Sequence, residues 1–309
     1  MAQKMDFISL ADTTPEMLRH ILDTAKRFKK QFKETRRTDR VAEGKTLACI
    51  FEKPSLRTRV SFEVAIYDLG GTAIYISPGE IGLGVRESVA DAARVLSGMV
   101  DGIMARVFEH SKLKELAAGA SIPVINGLSD YSHPCQAMAD LMTAEEHFGK
   151  LEGLTLAYVG DGNNVARSLM VACAKFGIKF RIASPPGYEL EPELVNRIMG
   201  QCPTLDFSSA HDPKDAVQTA DVIYTDTWVS MGQEAEKESR MPVFRPYQIN
   251  SELLAAAPKT AVVMHCLPAY RGVEITDEVM DGPQSVIFQE SENRLHFQRG
   301  LLAVVMCGQ

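Results

Sequence analysis

The strongest constraint on the fold of this chain is a regular alternation of short apolar runs and helix-like segments. In the first half, the apolar runs are 46–52, 72–77, 102–107 and 122–127. Helical patterns occupy 14–31, the stretch after Ser55, 88–100, 111–119 and 134–147. This alternation is typical of parallel strands joined by crossover helices. The first half is therefore predicted to be a parallel sheet covered by helices.

The alternation restarts after residues 150–153, which are predicted to form a hinge. Further apolar runs are 154–161, 180–185, 221–226 and 261–268, with helical patterns after Asn164 and at 191–200 and 292–306. The predicted fold class is α/β, with two doubly wound parallel-sheet domains. These domains are predicted to be 1–150 and 151–291, with a C-terminal helix, 292–309, that packs back on the first.

Composition excludes several classes of function. The 309 residues carry a formal net charge of -7, which disfavours binding to nucleic acid or to an anionic membrane surface. No apolar run reaches the roughly 18 residues that a membrane helix needs. The six cysteines are scattered and form no CxxC pair, so we expect reduced thiols and no metal site. The first residues carry no signal-peptide core, which predicts a cytoplasmic protein.

The run Ser55-Leu56-Arg57-Thr58-Arg59 follows the first predicted strand and begins a helical pattern. Ser is a preferred N-cap residue, and a helix start offers free backbone N–H groups and a positive dipole end. Two hydroxyls and an arginine at such a start favour binding of a phosphate group. The alternative is an ordinary capped helix with solvated arginines.

Residues that could bind a ligand follow most of the other predicted strands. They are Arg106, His133, Gln136, Asp161, Asn163, Asn164, Asp226, Ser230, Met231, His265 and Cys266. Ligands of doubly wound sheets bind beyond the carboxyl ends of the strands, so this repetition favours a shared site. Each residue also has a structural alternative: Arg106 in an ion pair, His133 as a helix cap and Cys266 as an inert buried thiol.

The segment Gly160-Asp161-Gly162-Asn163-Asn164-Val165 is similar to half of a dinucleotide-binding fingerprint. Val165 stands in place of the third glycine, and the next strand ends without an acidic residue for a ribose hydroxyl. A nicotinamide-linked oxidoreductase is therefore a weak alternative. A ligand-binding protein of the same fold without activity is a second one, which the intact polar residues disfavour.

The chain resembles the aspartate/ornithine carbamoyltransferases over nearly its whole length. The segments that carry the resemblance are PSLRTRVSFE (54–63), MARV (104–107), HPCQAMAD (133–140), DGNN (161–164), DTWVSMG (226–232), HCLPAYRG (265–272) and ENR (292–294). The DTWVSMG and HCLP segments are typical of the ornithine branch. The resemblance implies transfer of the carbamoyl group of carbamoyl phosphate to L-ornithine, which gives L-citrulline and phosphate.

The resemblance also implies the site residues. Carbamoyl phosphate would be held by Ser55, Leu56, Arg57, Thr58, Arg106, His133, Gln136, Cys266, Leu267 and Arg294. Ornithine would be bound by Asn164, Asp226, Ser230 and Met231. The residues expected to be catalytic are Arg106, His133, Asp226 and Cys266. The same resemblance implies a homotrimer, or a multiple of one, and a reaction with no metal or cofactor, run in the direction of arginine biosynthesis or in reverse.

Two positions depart from the family pattern. Leu56 replaces a more usual threonine, and because SLRTR also occurs in the N-acetylornithine relatives, an N-acetylornithine or putrescine carbamoyltransferase stays the alternative. Gly82 stands where ornithine enzymes carry a Gln or His that reaches a neighbouring subunit. Glu80 and Arg86 lie in the same loop, and the sequence leaves open whether either replaces that side chain.

Overall fold

A computed structural model describes residues 4–229 and 233–309 of the chain. Its contacts divide the chain into two compact units. Unit 1 comprises Met1–Ala139 and Asn293–Gln309, and unit 2 comprises Asp140–Glu292. By contacts, the division after Ala139 falls before the position at residue 150 that the sequence predicts.

Unit 1 is built on a parallel sheet with the strand order β2-β1-β3-β4 in the described residues. The strands are β1 Thr46–Phe51, β2 Thr72–Ile76, β3 Gly102–Arg106 and β4 Val124–Leu128. After its first residue β1 is entirely buried, as expected for a parallel strand covered on both faces. Because β1 lies between β2 and β3, the strand order reverses at β1 and β3, which is where ligands bind in doubly wound sheets.

The helices that accompany this sheet match the predicted order, apart from one short helix, Pro78–Ile81, in a segment predicted to be a loop. They are α1 Pro15–Thr35, α2 Leu56–Asp68, α3 Pro78–Ile81, α4 Val89–Ser97, α5 His110–Gly119 and α6 Pro134–Phe148, and a short 3-10 turn, Leu10–Asp12, precedes them. Ser55 is the N-cap of α2, as predicted, and its backbone is extended there. The hydroxyl of Ser55 makes no capping bond to a backbone N–H of the helix and contacts the hydroxyl of Thr58 instead.

Unit 2 contains a second parallel sheet, with the order β7-β6-β5-β8-β9 in the described residues. Its strands are β5 Thr155–Val159, β6 Lys179–Ala183, β7 Phe207–Ala210, β8 Val222–Thr225 and β9 Val262–His265. Here the order reverses between β5 and β8, so the ligand position is predicted beyond the ends of these two strands. The two parallel sheets confirm the predicted fold class.

The helices of unit 2 include several that the sequence did not predict. They are α7 Asn164–Phe176, α8 Pro192–Gln201, α9 Pro213–Val217, α10 Lys237–Phe244, α11 Ser251–Ala255 and α12 Asp277–Met280, with 3-10 turns at Glu234–Glu236 and Arg245–Tyr247. Of these, only α7 and α8 correspond to predicted helices. The remaining four have at most eight residues, too few to show a clear helical period.

The last helix, α13, spans Ile287–Cys307 and begins before the predicted position at residue 292. Its second half packs on unit 1, as predicted. The ring of Phe297 contacts that of Phe7 at a tilt of 47°, with ring centroids 6.2 Å apart. A Cβ atom on Gly300 would lie 2.5 Å from the backbone nitrogen of Ala25, so glycine is required for this close approach to α1. The buried Arg299 donates hydrogen bonds to Asp68 at the end of α2.

Within the described residues, none of these helices combines the length and the hydropathy that a bilayer crossing requires. The buried apolar side chains instead fill the interiors of the two units.

Candidate active site

The switch point of unit 1 brings polar residues from distant parts of the chain together. The buried hydroxyl of Thr58, near the start of α2, accepts hydrogen bonds from Arg106 Nη1 at 3.2 Å and from Arg294 Nη2 at 2.9 Å. The hydroxyl of Ser55 lies 3.2 Å from the same oxygen. The guanidinium groups of Arg106 at the end of β3 and Arg294 on α13 therefore converge on one oxygen atom. We call Arg57, Thr58, Arg106 and Arg294 the arginine cluster.

His133 lies against this cluster, directly before α6. Its side chain is buried, and the positive charges of Arg294, Arg106 and Arg57 act on it. Burial and these three charges hold the pKa of His133 well below its ordinary value of 6.5. The ring is therefore neutral at physiological pH and can donate one N–H without carrying a charge of its own.

The neutral state of His133 predicts a loss of stability in acid. In the unfolded chain this histidine binds a proton below about pH 6.5, whereas the native ring resists protonation. The unfolded state then binds more protons, so the free energy of unfolding falls as the pH is lowered through that value. Between pH 7.5 and 5.5 we expect the wild type to lose about 1 kcal/mol more than His133→Gln. Urea unfolding at both pH values measures this, and equal losses would contradict the assigned charge state.

The other predicted residues of unit 1 occupy distinct places. The guanidinium of Arg57 is assigned to the arginine cluster because its positive charge lowers the pKa of His133. Gln136 is fully buried on α6, within one turn of His133. The side chain of Leu56 is 75% exposed, so only its backbone is available to the cluster. Arg59 is not part of the cluster, because it pairs with Glu63 on the helix surface at 2.9 Å.

The switch point of unit 2 is organised around Asp226, which directly follows β8 and is buried. One carboxylate oxygen accepts the amide of Asn163 at 2.8 Å. The other accepts the backbone N–H of Thr227 at 2.7 Å and the thiol of Cys266 at 3.1 Å. Three donors from separate segments thus hold this carboxylate in place. The carboxylate also provides negative charge for a cationic ligand.

Cys266 is a hydrogen-bond donor in this arrangement. Its thiol is buried, and burial together with the carboxylate of Asp226 raises its pKa well above 9.0. A thiol that keeps its proton is a poor nucleophile and a poor metal ligand. Cys266 therefore acts in this site as a hydrogen-bond donor and not as a nucleophile.

Asn163 belongs to this site, although no binding role was predicted for it from the sequence. It caps α7, with its side-chain oxygen accepting the backbone N–H groups of Val165 and Ala166. Its amide nitrogen is then free to reach Asp226. Asn164, which was predicted as a site residue, is the first residue of α7. An N-cap signal at Asn163 could have indicated the distinction.

The segment after Asp226 is anchored by a buried arginine. Arg240 on α10 donates to the carbonyl of Trp228 at 2.7 Å and to Glu236 at 3.0 Å. It also pairs with Asp161, whose pKa burial raises to about 6 despite this partner. Ser230 and Met231, both predicted site residues, lie outside the described residues. Arg240 thus holds the chain on both sides of them.

Asp226, His265 and Cys266 offer ligand atoms within 4.8 Å of one another, which raises the question of a metal site. Both ring nitrogens of His265 are engaged in hydrogen bonds, one to Glu274 and one to the backbone of Leu267. The thiol of Cys266 retains its proton. These three residues fit a hydrogen-bond network rather than a metal centre.

The local backbone explains why glycine stands at positions 162 and 82. A Cβ atom on Gly162 would lie 2.5 Å from the backbone of Glu189. The close packing of the chain therefore explains this glycine, and no bound dinucleotide is needed to account for it. Gly82 ends α3 with φ 50° in the left-handed region, which favours glycine. In the same loop, Glu80 caps α3 through Ser77, and Arg86 donates to the carbonyl of Glu80 at 3.1 Å.

Comparison with known proteins places both units in one family. Residues 5–146 match "Aspartate/ornithine carbamoyltransferase, carbamoyl-P binding domain", and residues 152–305 match the "Asp/Orn binding domain" of the same enzymes. The chain belongs to the aspartate/ornithine carbamoyltransferase family. The matched regions contain the arginine cluster and the surroundings of Asp226. Family membership disfavours the nicotinamide-linked oxidoreductase.

Individual relatives are similar to this carbamoyltransferase over nearly their whole lengths. The ornithine carbamoyltransferase of Thermococcus kodakarensis is 52% identical over 98% of this chain and 96% of its own length. That of Bacillus subtilis is 49% identical over 97% of this chain and 93% of its own length. The solved ornithine carbamoyltransferase of Pyrococcus furiosus superimposes with a TM-score of 0.94 at 50% identity, covering 100% of this chain and 98% of its own.

Proposed function

We propose that this protein is an ornithine carbamoyltransferase, which transfers the carbamoyl group of carbamoyl phosphate to the side-chain amine of L-ornithine. The observation that carries the proposal is the 52% identity over nearly the whole chain to a relative of that name. The arginine cluster and the buried Asp226 supply an anion site and a cation site, as the two substrates require. The acceptor carries an ammonium group and the donor carries a phosphate.

In the proposed mechanism, the start of α2 binds the phosphate of carbamoyl phosphate. Ser55, the backbone N–H of Leu56, Arg57 and Thr58 supply the contacts, and the helix dipole adds favourable potential. Arg294 contributes a further charge from α13, next to Thr58. These groups stabilise the phosphate as it leaves with the electron pair of the broken C–O bond.

The carbonyl of the carbamoyl group is assigned to Arg106, His133 and Gln136. The neutral amine of ornithine attacks the carbonyl carbon, and negative charge develops on the carbonyl oxygen. Arg106 and the neutral ring of His133 donate hydrogen bonds to that oxygen. The new C–N bond forms, the C–O bond to phosphate breaks, and the amine proton leaves with the phosphate. The reaction balances without a metal or cofactor.

Ornithine is assigned to the switch point of unit 2. Asp226 pairs with the α-ammonium group, and Asn164 binds the α-carboxylate. Ser230 and Met231 are included by family resemblance alone. The thiol of Cys266 and the backbone of Leu267 are placed near the reacting amine and the carbamoyl group. A buried carboxylate leaves an acetylated, uncharged amino group poorly paired, which favours ornithine over N-acetylornithine.

A citrulline assay with three acceptors tests the proposal. Purified protein is given carbamoyl phosphate and either L-ornithine, N-acetyl-L-ornithine or putrescine. We expect the highest kcat/KM with ornithine, because putrescine lacks the carboxylate and leaves its binding groups unpaired. A higher kcat/KM with either alternative acceptor would reassign the enzyme, and the absence of a ureido product with all three would refute the activity.

The direction and location of the reaction belong to the same proposal. The relative from Pyrococcus furiosus, 51% identical over 98% of this chain, is named an anabolic ornithine carbamoyltransferase. This supports a biosynthetic role, in which citrulline is formed for arginine biosynthesis in the cytoplasm. The negative net charge of -7 supports small-molecule substrates rather than nucleic acid or membrane partners.

A homotrimer, or a multiple of one, is the proposed assembly. Leu56, Val60 and Tyr67 are exposed apolar side chains at helical spacing on one face of α2. They form an apolar stripe that is interrupted by Glu63, which pairs with Arg59. Ile74, on the neighbouring edge strand β2, is also exposed. Exposed apolar side chains gathered in this way are typical of an interface. A second copy of the chain is the proposed occupant.

Sedimentation should give a mass of three times the 34.0 kDa chain, or a multiple of that. Changing Val60→Asp places a charge in the apolar stripe and should shift the protein toward the monomer, with loss of activity. The matched control is Val243→Asp, because Val243 is also partly exposed but lies in unit 2. A wild-type monomer with full activity would contradict this proposal.

A further inference from the structure

The ring of His265, at the end of β9, joins two parts of the segment that follows it. Its Nδ1 atom accepts the backbone N–H of Leu267 at 2.9 Å, and its Nε2 atom lies 3.0 Å from Oε1 of Glu274. The side chains of His265 and Glu274 are both fully buried. The ring is therefore a fixed bridge between a backbone amide and a carboxyl group.

The partners of His265 determine its tautomer. A backbone N–H can only donate, so Nδ1 must carry a lone pair and the ring proton must lie on Nε2. The Nε2–H group then donates to Glu274. The same oxygen of Glu274 accepts the backbone N–H of Tyr270 at 2.6 Å, so the carboxylate also closes the following turn.

The contact with Leu267 matters because its backbone is in an unusual conformation. Leu267 has φ 57°, in the left-handed region that a branched side chain rarely adopts. Its N–H bond to His265 offsets the cost of that conformation. Cys266, between the two, directs its thiol to Asp226 at 3.1 Å. The position of the ring thus sets the geometry of both residues.

The anchoring of His265 extends to its own backbone. Its N–H donates to Oε2 of the buried Glu290 at 2.8 Å. Glu290 also accepts the hydroxyl of Tyr224 at 3.3 Å. Glu274 therefore holds the ring of His265, and Glu290 holds its backbone. These two contacts restrict the conformation of the segment that follows His265.

We propose that His265 is a positioning residue for the acceptor reaction. Held by Glu274 in the Nε2–H tautomer, it fixes the backbone of Leu267, and through it the thiol of Cys266, at the place where the amine reacts. This inference rests on the proposed function, which assigns Cys266 and Leu267 to the reacting amine. His265 touches neither substrate in this assignment and acts through its neighbours.

Two substitutions separate the two bonds of the ring. His265→Asn can place an amide oxygen near the position of Nδ1, which keeps an acceptor for Leu267 but loses the contact with Glu274. His265→Gln can place an amide nitrogen near the position of Nε2, which keeps the donor for Glu274 but loses the acceptor for Leu267. We expect kcat to fall by 30-fold or more in His265→Gln, and by less than tenfold in His265→Asn.

Two further readouts distinguish positioning from general destabilisation. The KM for carbamoyl phosphate should change by less than fivefold, because only Cys266 and Leu267 among its proposed residues are displaced and the arginine cluster is untouched. L-Norvaline keeps the amino-acid end of ornithine but lacks the reactive amine. Its affinity, measured by calorimetry with carbamoyl phosphate present, should stay within threefold in both variants.

If His265→Gln does not fold, a pair of changes at Glu274 tests the same point. Glu274→Gln keeps an acceptor oxygen for the ring and should retain kcat within fivefold, whereas Glu274→Leu should lower it by 30-fold or more. Equal losses of kcat in the two members of either pair would overturn the inference. So would a loss of norvaline affinity that parallels the loss of kcat, or changes in kcat below threefold in every variant. A wild-type enzyme that forms no citrulline would instead refute the proposed function.

Discussion

Replacing Arg57 by alanine should lower kcat/KM for carbamoyl phosphate by 100-fold or more. Arg57 lies in the first turn of α2 and acts on the buried His133 together with Arg106 and Arg294. Its guanidinium is proposed to bind the leaving phosphate, and a charge-assisted contact in a site shielded from water contributes about 3 kcal/mol to the transition state. Steady-state kinetics of citrulline formation measure the effect.

The control for this experiment is Arg37→Ala, which removes an exposed arginine outside the arginine cluster. It should leave kcat/KM within threefold of the wild type. Unfolding curves of both variants should be similar, because neither side chain is fully buried. A loss smaller than fivefold in Arg57→Ala would mean that this arginine does not bind the phosphate.

Changing Asp226→Asn should lower kcat/KM for ornithine by about 1,000-fold, or about 4 kcal/mol. The substitution removes the negative charge proposed to pair with the α-ammonium group. It also replaces one carboxylate oxygen by an amide nitrogen. That nitrogen is a donor and cannot accept the hydrogen bonds that Asn163, Thr227 and Cys266 donate to this side chain. The KM for carbamoyl phosphate should remain within fivefold, since most of its proposed residues belong to unit 1.

Asp206→Asn is the matched control, because Asp206 belongs to an ion pair with Arg181 and its side chain is 51% exposed. This change should alter kcat/KM for ornithine by less than threefold. The assay varies ornithine at saturating carbamoyl phosphate. If Asp226→Asn retained more than a tenth of the wild-type value, Asp226 would not be the partner of the α-ammonium group.

The fold was predictable wherever a strand is buried on both faces. Strands such as β1 and β5 appear in the sequence as continuous apolar runs, so their positions followed directly. Strand β7 was not predicted, because Phe207–Ala210 contains two serines and lies at the edge of its sheet. Its extended conformation depends on pairing with β6, which no local pattern encodes.

The candidate site was predictable where its residues are adjacent in the chain. Ser55, Arg57 and Thr58 form one motif at a helix start, and general principles assign an anion to such a place. The contact of Asn163 with Asp226 was not predictable, because the partners come from separate segments. Such pairs depend on strand order, which the sequence alone did not provide.

The strand order also bears on how such an enzyme can change during evolution. Most residues assigned to carbamoyl phosphate follow β1, β3 and β4 of one sheet, and Asp226 and Asn163 follow β8 and β5 of the other. Mutations that alter the choice of acceptor can therefore accumulate beyond the ends of β5, β8 and β9 while the phosphate-binding turn of α2 stays unchanged. A single ancestral gene could in this way give rise to enzymes that carbamoylate different amines.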